Sequence, residues 1–334
     1  MKLSMVVPMY NTSQWLERCL DSLTAQGLET SEYEIIVVND GSTDNSVEVF
    51  NDYKDKHPEM NLSLVSQANA GLSAARNAGT KKAQGDYVWW VDSDDFVETN
   101  VVAPLLERAV RDELDVHCFG LQLYYEHGNA EPYKIGDASG GQVLAGSDFM
   151  LKVAMPPAAW AALYRRQFLI ENSLEFMPGV LHEDQEFTMR AYFLAKRVAF
   201  TPVTVYNYFQ REGSIMKSNT PKKTDDLVQI CESLWNFLNA HTEEGTPIRE
   251  FFYNRISFLF SQALSNLCRC GIHHFPGDPT KLPFYPLNIN YSLSKKERYK
   301  YRLINVSVAL YLSLYRKFSN KPVQNPGLKN LRTH

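Results

Sequence analysis

The sequence lacks the glycine-rich loops by which many α/β proteins hold a nucleotide. Its first apolar run ends in Pro8-Met9-Tyr10-Asn11, with no glycine and so no G-x-G-x-x-G turn. No G-x-x-x-x-G-K-[ST] loop occurs anywhere. A bound nucleotide's phosphates are therefore not cradled by a helix start after the first strand, which argues against dehydrogenases and ATPases. Cysteine is sparse: Cys19, Cys118, Cys231, Cys268 and Cys270 are an odd, scattered set. That suits a reducing compartment better than a disulfide framework. No uncharged apolar stretch approaches the ~20 residues that span a bilayer. Lys2 and a short apolar run broken by Pro8 do not make the long apolar region of a signal peptide. The expectation is a cytoplasmic protein that is not integral to a membrane. Positive charge is not in excess either; the net charge of −4 argues against a nucleic-acid partner.

What is present is alternation. Leu3 to Val7 reads as a strand, Ser13 to Ala25 as an amphipathic helix, and Glu34 to Val38 as a second strand running into Asn39-Asp40-Gly41. Leu62 to Val65 is a third strand, Gly71 to Ala83 a helix, Tyr87 to Val91 a fourth strand, and Asp115 to Leu123 a fifth. Thr99 offers a cap for a helix through Arg111. Strand and helix in turn predict an α/β fold: a mostly parallel sheet with helices on both faces.

Tyr87 to Asp95, YVWWVDSDD, concentrates chemistry in this pattern. A buried strand runs straight into Asp92, Asp94 and Asp95, at the sheet rim where open α/β sheets hold ligands. Three like charges so close need an offset, and Mg²⁺ or Mn²⁺ suits hard carboxylate oxygens. A calcium loop does not fit. Counted from Asp92, position six is Val97 and position twelve is Ala103, where glycine and glutamate are required. The plain alternative is a solvated turn capping the next helix.

Four segments then occur in order. They are Pro8-Met9-Tyr10-Asn11, Val38-Asn39-Asp40-Gly41-Ser42-Thr43-Asp44, Asn69-Ala70-Gly71-Leu72-Ser73-Ala74-Ala75-Arg76-Asn77 and Asp92-Ser93-Asp94-Asp95. Each falls at an expected strand end or helix start, and together they resemble the inverting family-two glycosyltransferases with the GT-A fold. The resemblance implies a nucleotide-sugar donor, UDP-linked by first expectation, a divalent metal, and a glycan or lipid-linked acceptor in surface polysaccharide synthesis. It implies that Asp40 pairs with the nucleobase edge, and that Pro8 and Tyr10, with Asn11 following, wall the base. Gly71, Arg76 and Asn77 lie in the segment that closes over the donor, with Arg76 facing phosphate. Asp92 and Ser93 stand near the ribose or sugar, and Asp94 ligates the metal.

Further along, Gly179-Val180-Leu181-His182-Glu183-Asp184 resembles the family's catalytic Glu-Asp motif, with Asp184 the general base. Without the resemblance, Glu183 and Asp184 read as helix-start charges favoured by the dipole. Arg211 and Ser214 resemble residues of a cover over the diphosphate. Trp160 fits two roles, stacking on a sugar or packing in the core. The resemblance covers residues 1–215. A sugar nucleotidyltransferase is one rival, and it wants a Gly-rich basic loop after strand one. A non-catalytic sugar-binding relative is the other.

Residues 216–334 read as a helical C-terminal region. Leu227, Ile230, Cys231, Leu234, Trp235 and Leu238 mark one helix face, Thr246-Pro247 starts another helix, and Ser294-x-x-Glu297 is a capping box before a final helix. Cys268, Cys270, His273 and His274 cluster, but the C-x-C spacing is tight and no second pair exists for zinc. Leu303 to Tyr315 carries no charge and is flanked by Lys and Arg. The stretch 295–321 therefore reads either as a core helix with basic ends or as a peripheral contact with an anionic membrane.

Overall fold

A computed structural model describes residues 1–126, 128–210, 219–289 and 294–318. The chain divides into two compact units, Met1–Gly179 with Arg190–Ser214, and Val180–Met189 with Ile215–His334.

The first unit is built on one sheet. Its first half is β1 (Leu3–Met9), α1 (Ser13–Thr24), β2 (Tyr33–Asp40), α2 (Ser46–Lys56), β3 (Leu62–Gln67), α3 (Leu72–Lys82) and β4 (Tyr87–Trp90). β1 pairs with β2 on one side and with β4 on the other, both parallel, and β2 pairs in parallel with β3. The chain thus winds outward from β1 to β3 and returns to β4 across β1. That reversal opens a crevice at the carboxyl ends of β1, β2 and β4. β1, β2 and β4 are buried along their whole length, as strands covered on both faces should be.

Beyond β4 the sheet becomes mixed. β5 (Phe96–Val97), α4 (Val102–Arg111), β6 (Val116–Tyr125), β7 (Ala130–Pro132), α5 (Gly146–Lys152), β8 (Ala162–Arg165), α6 (Arg166–Glu171), α7 (Asp184–Leu194) and β9 (Val198–Gln210) follow. β8 runs antiparallel to both β4 and β6, β9 is parallel to β6, and β5 is antiparallel to β9. The final order is β3-β2-β1-β4-β8-β6-β9-β5, with β7 on β6.

Two tryptophans anchor β4, one on each face, because successive strand residues point oppositely. Trp89 donates to the Trp160 carbonyl at 2.8 Å and packs edge-on to Phe119. Trp90 donates to Thr80 Oγ1 at 3.0 Å and packs edge-on to Phe176. Gly79 lets α3 lie against the sheet, since a Cβ there would sit 2.2 Å from Val6 Cγ1. α4 is not capped by Thr99. The buried Gln26, just past α1, accepts from the Val101 and Val102 N–H groups at 3.2 Å each, so the cap comes from far away in sequence.

In the second unit, α8 (Pro221–His241) and α9 (Pro247–Arg269) form a helical hairpin. Thr220 caps α8 by accepting from Lys223 N, ahead of a first-turn proline. Leu227, Ile230, Cys231, Leu234 and Leu238 are its buried face. The Ser294–Glu297 capping box forms at the start of α10 (Lys295–Val306). The single final helix expected from sequence is two helices. Ser307 ends α10, and its hydroxyl accepts from Leu310 N at 3.1 Å to start α11 (Val308–Phe318). Among the described residues no helix is long and apolar enough to cross a membrane.

Candidate functional site

The carboxylate turn after β4 keeps the strand's alternation. Ser93 and Asp95 are buried, and Asp92 and Asp94, which alternate with them, are partly exposed at the rim. Asp95 N closes the turn on the Asp92 carbonyl at 3.0 Å. Inside, Ser93 Oγ meets Thr12 Oγ1 at 2.9 Å. Asp95 accepts from the Tyr206 hydroxyl and from Phe209 N, each at 2.7 Å. Burial pushes the Asp95 carboxyl well above the usual carboxylate range. Asp94 and Asp92 push the same way, against those two hydrogen bonds. At the rim, Asp92 Oδ1 accepts from Arg76 at 2.8 Å, with the Arg76 side chain 1% exposed and that of Asp92 22%. The Asp94 carbonyl accepts from Arg18 at 2.9 Å. The Arg18 guanidinium is itself held between the Phe96 and Phe209 rings, 4.6 and 4.4 Å from their centroids.

Beside this turn, the ends of β1 and β2 carry the other segments. Pro8 is buried in β1, and Tyr10 is 48% exposed at its end. Asn11 takes a left-handed conformation (φ 53°), which asparagine tolerates. Its side-chain oxygen accepts from Thr43 N at 2.8 Å and Asp44 N at 3.3 Å, holding the loop after β2. Asp40 is buried; it accepts from Gln67 Nε2 (2.8 Å), Ala70 N (2.9 Å) and Gly71 N (2.8 Å). A buried carboxylate thus fastens the loop that leads into α3. Gly71, at φ 88° and ψ 167°, adopts a backbone open essentially to glycine alone, and a Cβ there would meet nothing within 4 Å.

Three named side chains are buried in the interior. Arg76 does not stand open toward a phosphate. It is fully buried, with its guanidinium 5.2 Å from the Phe176 ring centroid, and it pairs with Asp92. Asn77 is buried, and its amide binds the Phe176 backbone. Its Nδ2 donates to the Phe176 carbonyl at 2.8 Å, and its Oδ1 accepts from Phe176 N at 2.9 Å. Trp160 takes the core role. It is 7% exposed and stacks on Tyr206, with ring centroids 4.1 Å apart. All three face the packed interior because their segments are crossed there by distant chain, which spacing alone does not reveal. Arg211 and Ser214 lie outside the described residues.

Tyr206 and Arg18 were not singled out by sequence. Tyr206 links the turn to β9: its hydroxyl accepts from Asp92 N at 3.1 Å and donates to Asp95. No local pattern marks either residue.

In the second unit, Asp184 is the first residue of α7 and is half-buried. Its carbonyl accepts from Thr188 Oγ1 at 2.6 Å, and a helix start favours its anion. The segment is well anchored. Leu181 N donates to Asp226 at 2.9 Å, the buried Glu186 accepts from Ser233 at 2.8 Å, and Arg255 donates to Gln185. His182, left-handed at φ 67°, is pushed down to about 4, chiefly by burial and then by Lys223.

Among the described residues, no group of three or more His, Cys, Asp or Glu side chains is arranged to hold a metal ion. Asp92 and Asp95 are turned toward protein donors, so the three carboxylates do not form a cage. Asp92 and Asp94 are partly exposed at the rim, a donor set that suits an ion taking one or two carboxylates.

The family model of glycosyl transferase family 2 matches residues 4–171. The uncharacterized glycosyltransferase YibD of Escherichia coli (strain K12) is 34% identical over 223 residues, covering 65% of this chain and 63% of YibD. This chain therefore spans somewhat less than two thirds of that relative. The cholesterol galactosyltransferase of Borreliella burgdorferi is 30% identical over 270 residues, covering 77% of this chain and 74% of the relative. The poly(ribitol-phosphate) beta-N-acetylglucosaminyltransferase TarS of Staphylococcus aureus (strain Mu50) is 28% identical over 274 residues, covering 79% of this chain and 46% of TarS. The crystal structure of S. aureus TarS 1-349 in complex with UDP-GlcNAc superposes with a TM-score of 0.69 at 24% identity, over 95% of this chain and 92% of that one. The chain belongs to glycosyl transferase family 2, and its fold is GT-A with C-terminal helices.

Proposed function

We propose that this chain is an inverting glycosyltransferase that moves a sugar from a UDP-sugar to a hydroxyl of a glycan or lipid-linked acceptor in surface polysaccharide synthesis. One observation carries the reading. Buried Asp40, glycine-only Gly71 and the Asp92–Asp95 turn converge on the carboxyl ends of β1, β2 and β4 in a family-two fold. The UDP-GlcNAc complex of TarS supports a UDP-sugar, and the names of TarS and of the Borreliella relative support polymer and lipid acceptors.

In this reading Tyr10 and Pro8 flank the base, and Asp40 accepts from its edge while bracing the loop before α3. Asn11 and Ser93 hold the rim from beneath. Arg76 acts through Asp92 as a positioning residue, and Asn77 positions the neighbouring loop. Asp94 would hold a Mg²⁺ or Mn²⁺ ion together with the donor's diphosphate. Such an ion supplies charge neutralisation to the departing diphosphate. Asp184 takes the proton of the acceptor hydroxyl. That oxygen then bonds to the anomeric carbon while the carbon's bond to the diphosphate breaks, its electron pair leaving with the diphosphate. Attack opposite the leaving group inverts the centre. The sugar nucleotidyltransferase reading lacks its basic glycine loop after β1.

The test compares Asp184→Asn with Glu183→Gln. Asp184→Asn keeps the shape but accepts no proton, so turnover should fall ~10²–10⁴-fold with donor affinity unchanged. Glu183→Gln should lose less. Near-parent transfer by Asp184→Asn, or loss of UDP-sugar binding in it, would overturn the assignment.

A further inference from the structure

The final helices carry an outward stripe that the transfer chemistry does not use. Lys295, Tyr299, Arg302 and Val306 are spaced four, three and four residues apart, so they share one face of α10. All four are exposed. Tyr299 at 72% and Val306 at 76% are the most exposed large apolar side chains among the described residues. Lys296 is exposed beside them, and on α11 Leu310 is 44% exposed. The opposite face is packed: Tyr301 and Ile304 are buried, and Lys300 reaches inward to Ser261 at 3.1 Å. From residue 294 to 318 there are seven Lys and Arg against one acidic residue, in a chain whose net charge is negative. That acidic residue, Glu297, is tied into the capping box with Ser294.

The uncharged stretch Leu303 to Tyr315 does not make the contact as a whole: Ile304, Val308, Tyr311 and Leu312 are buried, while Val306 and Leu310 are exposed. What remains outside is a basic, aromatic and aliphatic stripe. Such a stripe suits the boundary between lipid headgroups and acyl chains: an amphipathic tyrosine sits at that level, and Lys and Arg reach anionic headgroups. We infer that the Lys295–Tyr299–Arg302–Val306 face of α10 docks on an anionic lipid bilayer.

The experiment is flotation of the full chain with vesicles of phosphatidylcholine alone or with phosphatidylglycerol added. Recovery should require the anionic lipid and fall as salt is raised. Replacing Lys295, Lys296 and Arg302 with Gln should lower partition about 100-fold, taking about a factor of five from each basic side chain at the surface. Tyr299→Ser with Val306→Ser should lower it about tenfold or more. Lys54→Gln with Lys56→Gln on α2 should leave it unchanged. These side chains are exposed, so the variants should fold, and thermal stabilisation by UDP should be the same in all of them. Equal recovery on neutral and anionic vesicles would overturn the proposal, as would indifference to the α10 substitutions. Concentration-dependent self-association that Tyr299→Ser with Val306→Ser abolishes, without flotation of the parent, would assign the face to a second copy instead.

Discussion

Lys300 gives a stability prediction whose sign and size both follow from its surroundings. Its ammonium lies 3.1 Å from Ser261 Oγ and 3.4 Å from Ser265 Oγ on α9, and 5.9 Å from the Tyr311 ring centroid on α11. Hydroxyls and a ring face solvate a cation less well than water does. Burial therefore lowers its pKa from 10.5 to about 8; Glu297 opposes the shift, while Arg269 and Lys296 add to it. Each unit corresponds to 1.36 kcal/mol, so keeping Lys300 charged in the fold costs at most about 3 kcal/mol. For a lysine depressed on folding, the unfolded chain binds the extra proton between about 8 and 10.5. Stability therefore carries the full penalty below pH 8, rises across that window and is level above it. Lys300→Met keeps the stem and removes the charge. It should be more stable than the parent by up to about 3 kcal/mol at pH 7, with most of the gap gone by pH 10 and the rest closing above pH 10.5. Urea unfolding of both proteins at pH 7, 8, 9 and 10 measures this. Taking the difference cancels other groups, including Tyr311, whose hydroxyl burial pushes up. A gap that is constant with pH, or a less stable Lys300→Met at pH 7, would refute the reasoning.

Two further outcomes are expected. His117 is buried between the Leu105 carbonyl (3.0 Å) and Thr201 Oγ1 (2.8 Å), and burial, then Arg108, lowers its pKa to about 4. Its neutral form supports the fold fully above pH 6.5, and up to about 3 kcal/mol is lost as pH falls toward 4; His117→Gln should flatten the acid limb of a stability–pH curve. Asn77→Ala leaves the N–H and carbonyl of Phe176 without their partner, which should cost about 2–4 kcal/mol in urea unfolding.

The strands and helices were legible because they rest on local pattern. β1, β2 and β4 are apolar runs, α8 shows its stripe, and the capping box at Ser294 forms as spelled. The crevice was legible too, since polar motifs at successive strand ends converge once the winding reverses. What escaped were contacts across long separations. The cap on α4 comes from Gln26, Arg76 turns to Asp92, and Asn77 grips Phe176 ninety-nine residues away. The mixed half of the sheet escaped for the same reason. β8 enters antiparallel between β4 and β6, and no local period records which neighbour a strand will find. The break at Ser307 was hidden because a single capping serine looks unremarkable inside an apolar run.

The carboxylate turn shows how the sequence argument and the structure meet. Three aspartates in four positions must have their repulsion offset, and the sequence suggested a cation as the direct means. The structure supplies protein groups for much of that task. The Arg76 guanidinium meets Asp92, while Tyr206 O–H and Phe209 N–H meet Asp95. Arg18, on the Asp94 carbonyl, adds a second positive charge beside the turn. Strand alternation then sorts the roles. Asp95, turned inward, spends its oxygens on β9 and fastens the turn to the sheet. Asp92, paired with Arg76, and Asp94 are partly exposed and stay at the rim. The shape of the turn is fixed by buried hydrogen bonds, so in the proposed function an ion at the rim would serve the donor's diphosphate more than the turn itself.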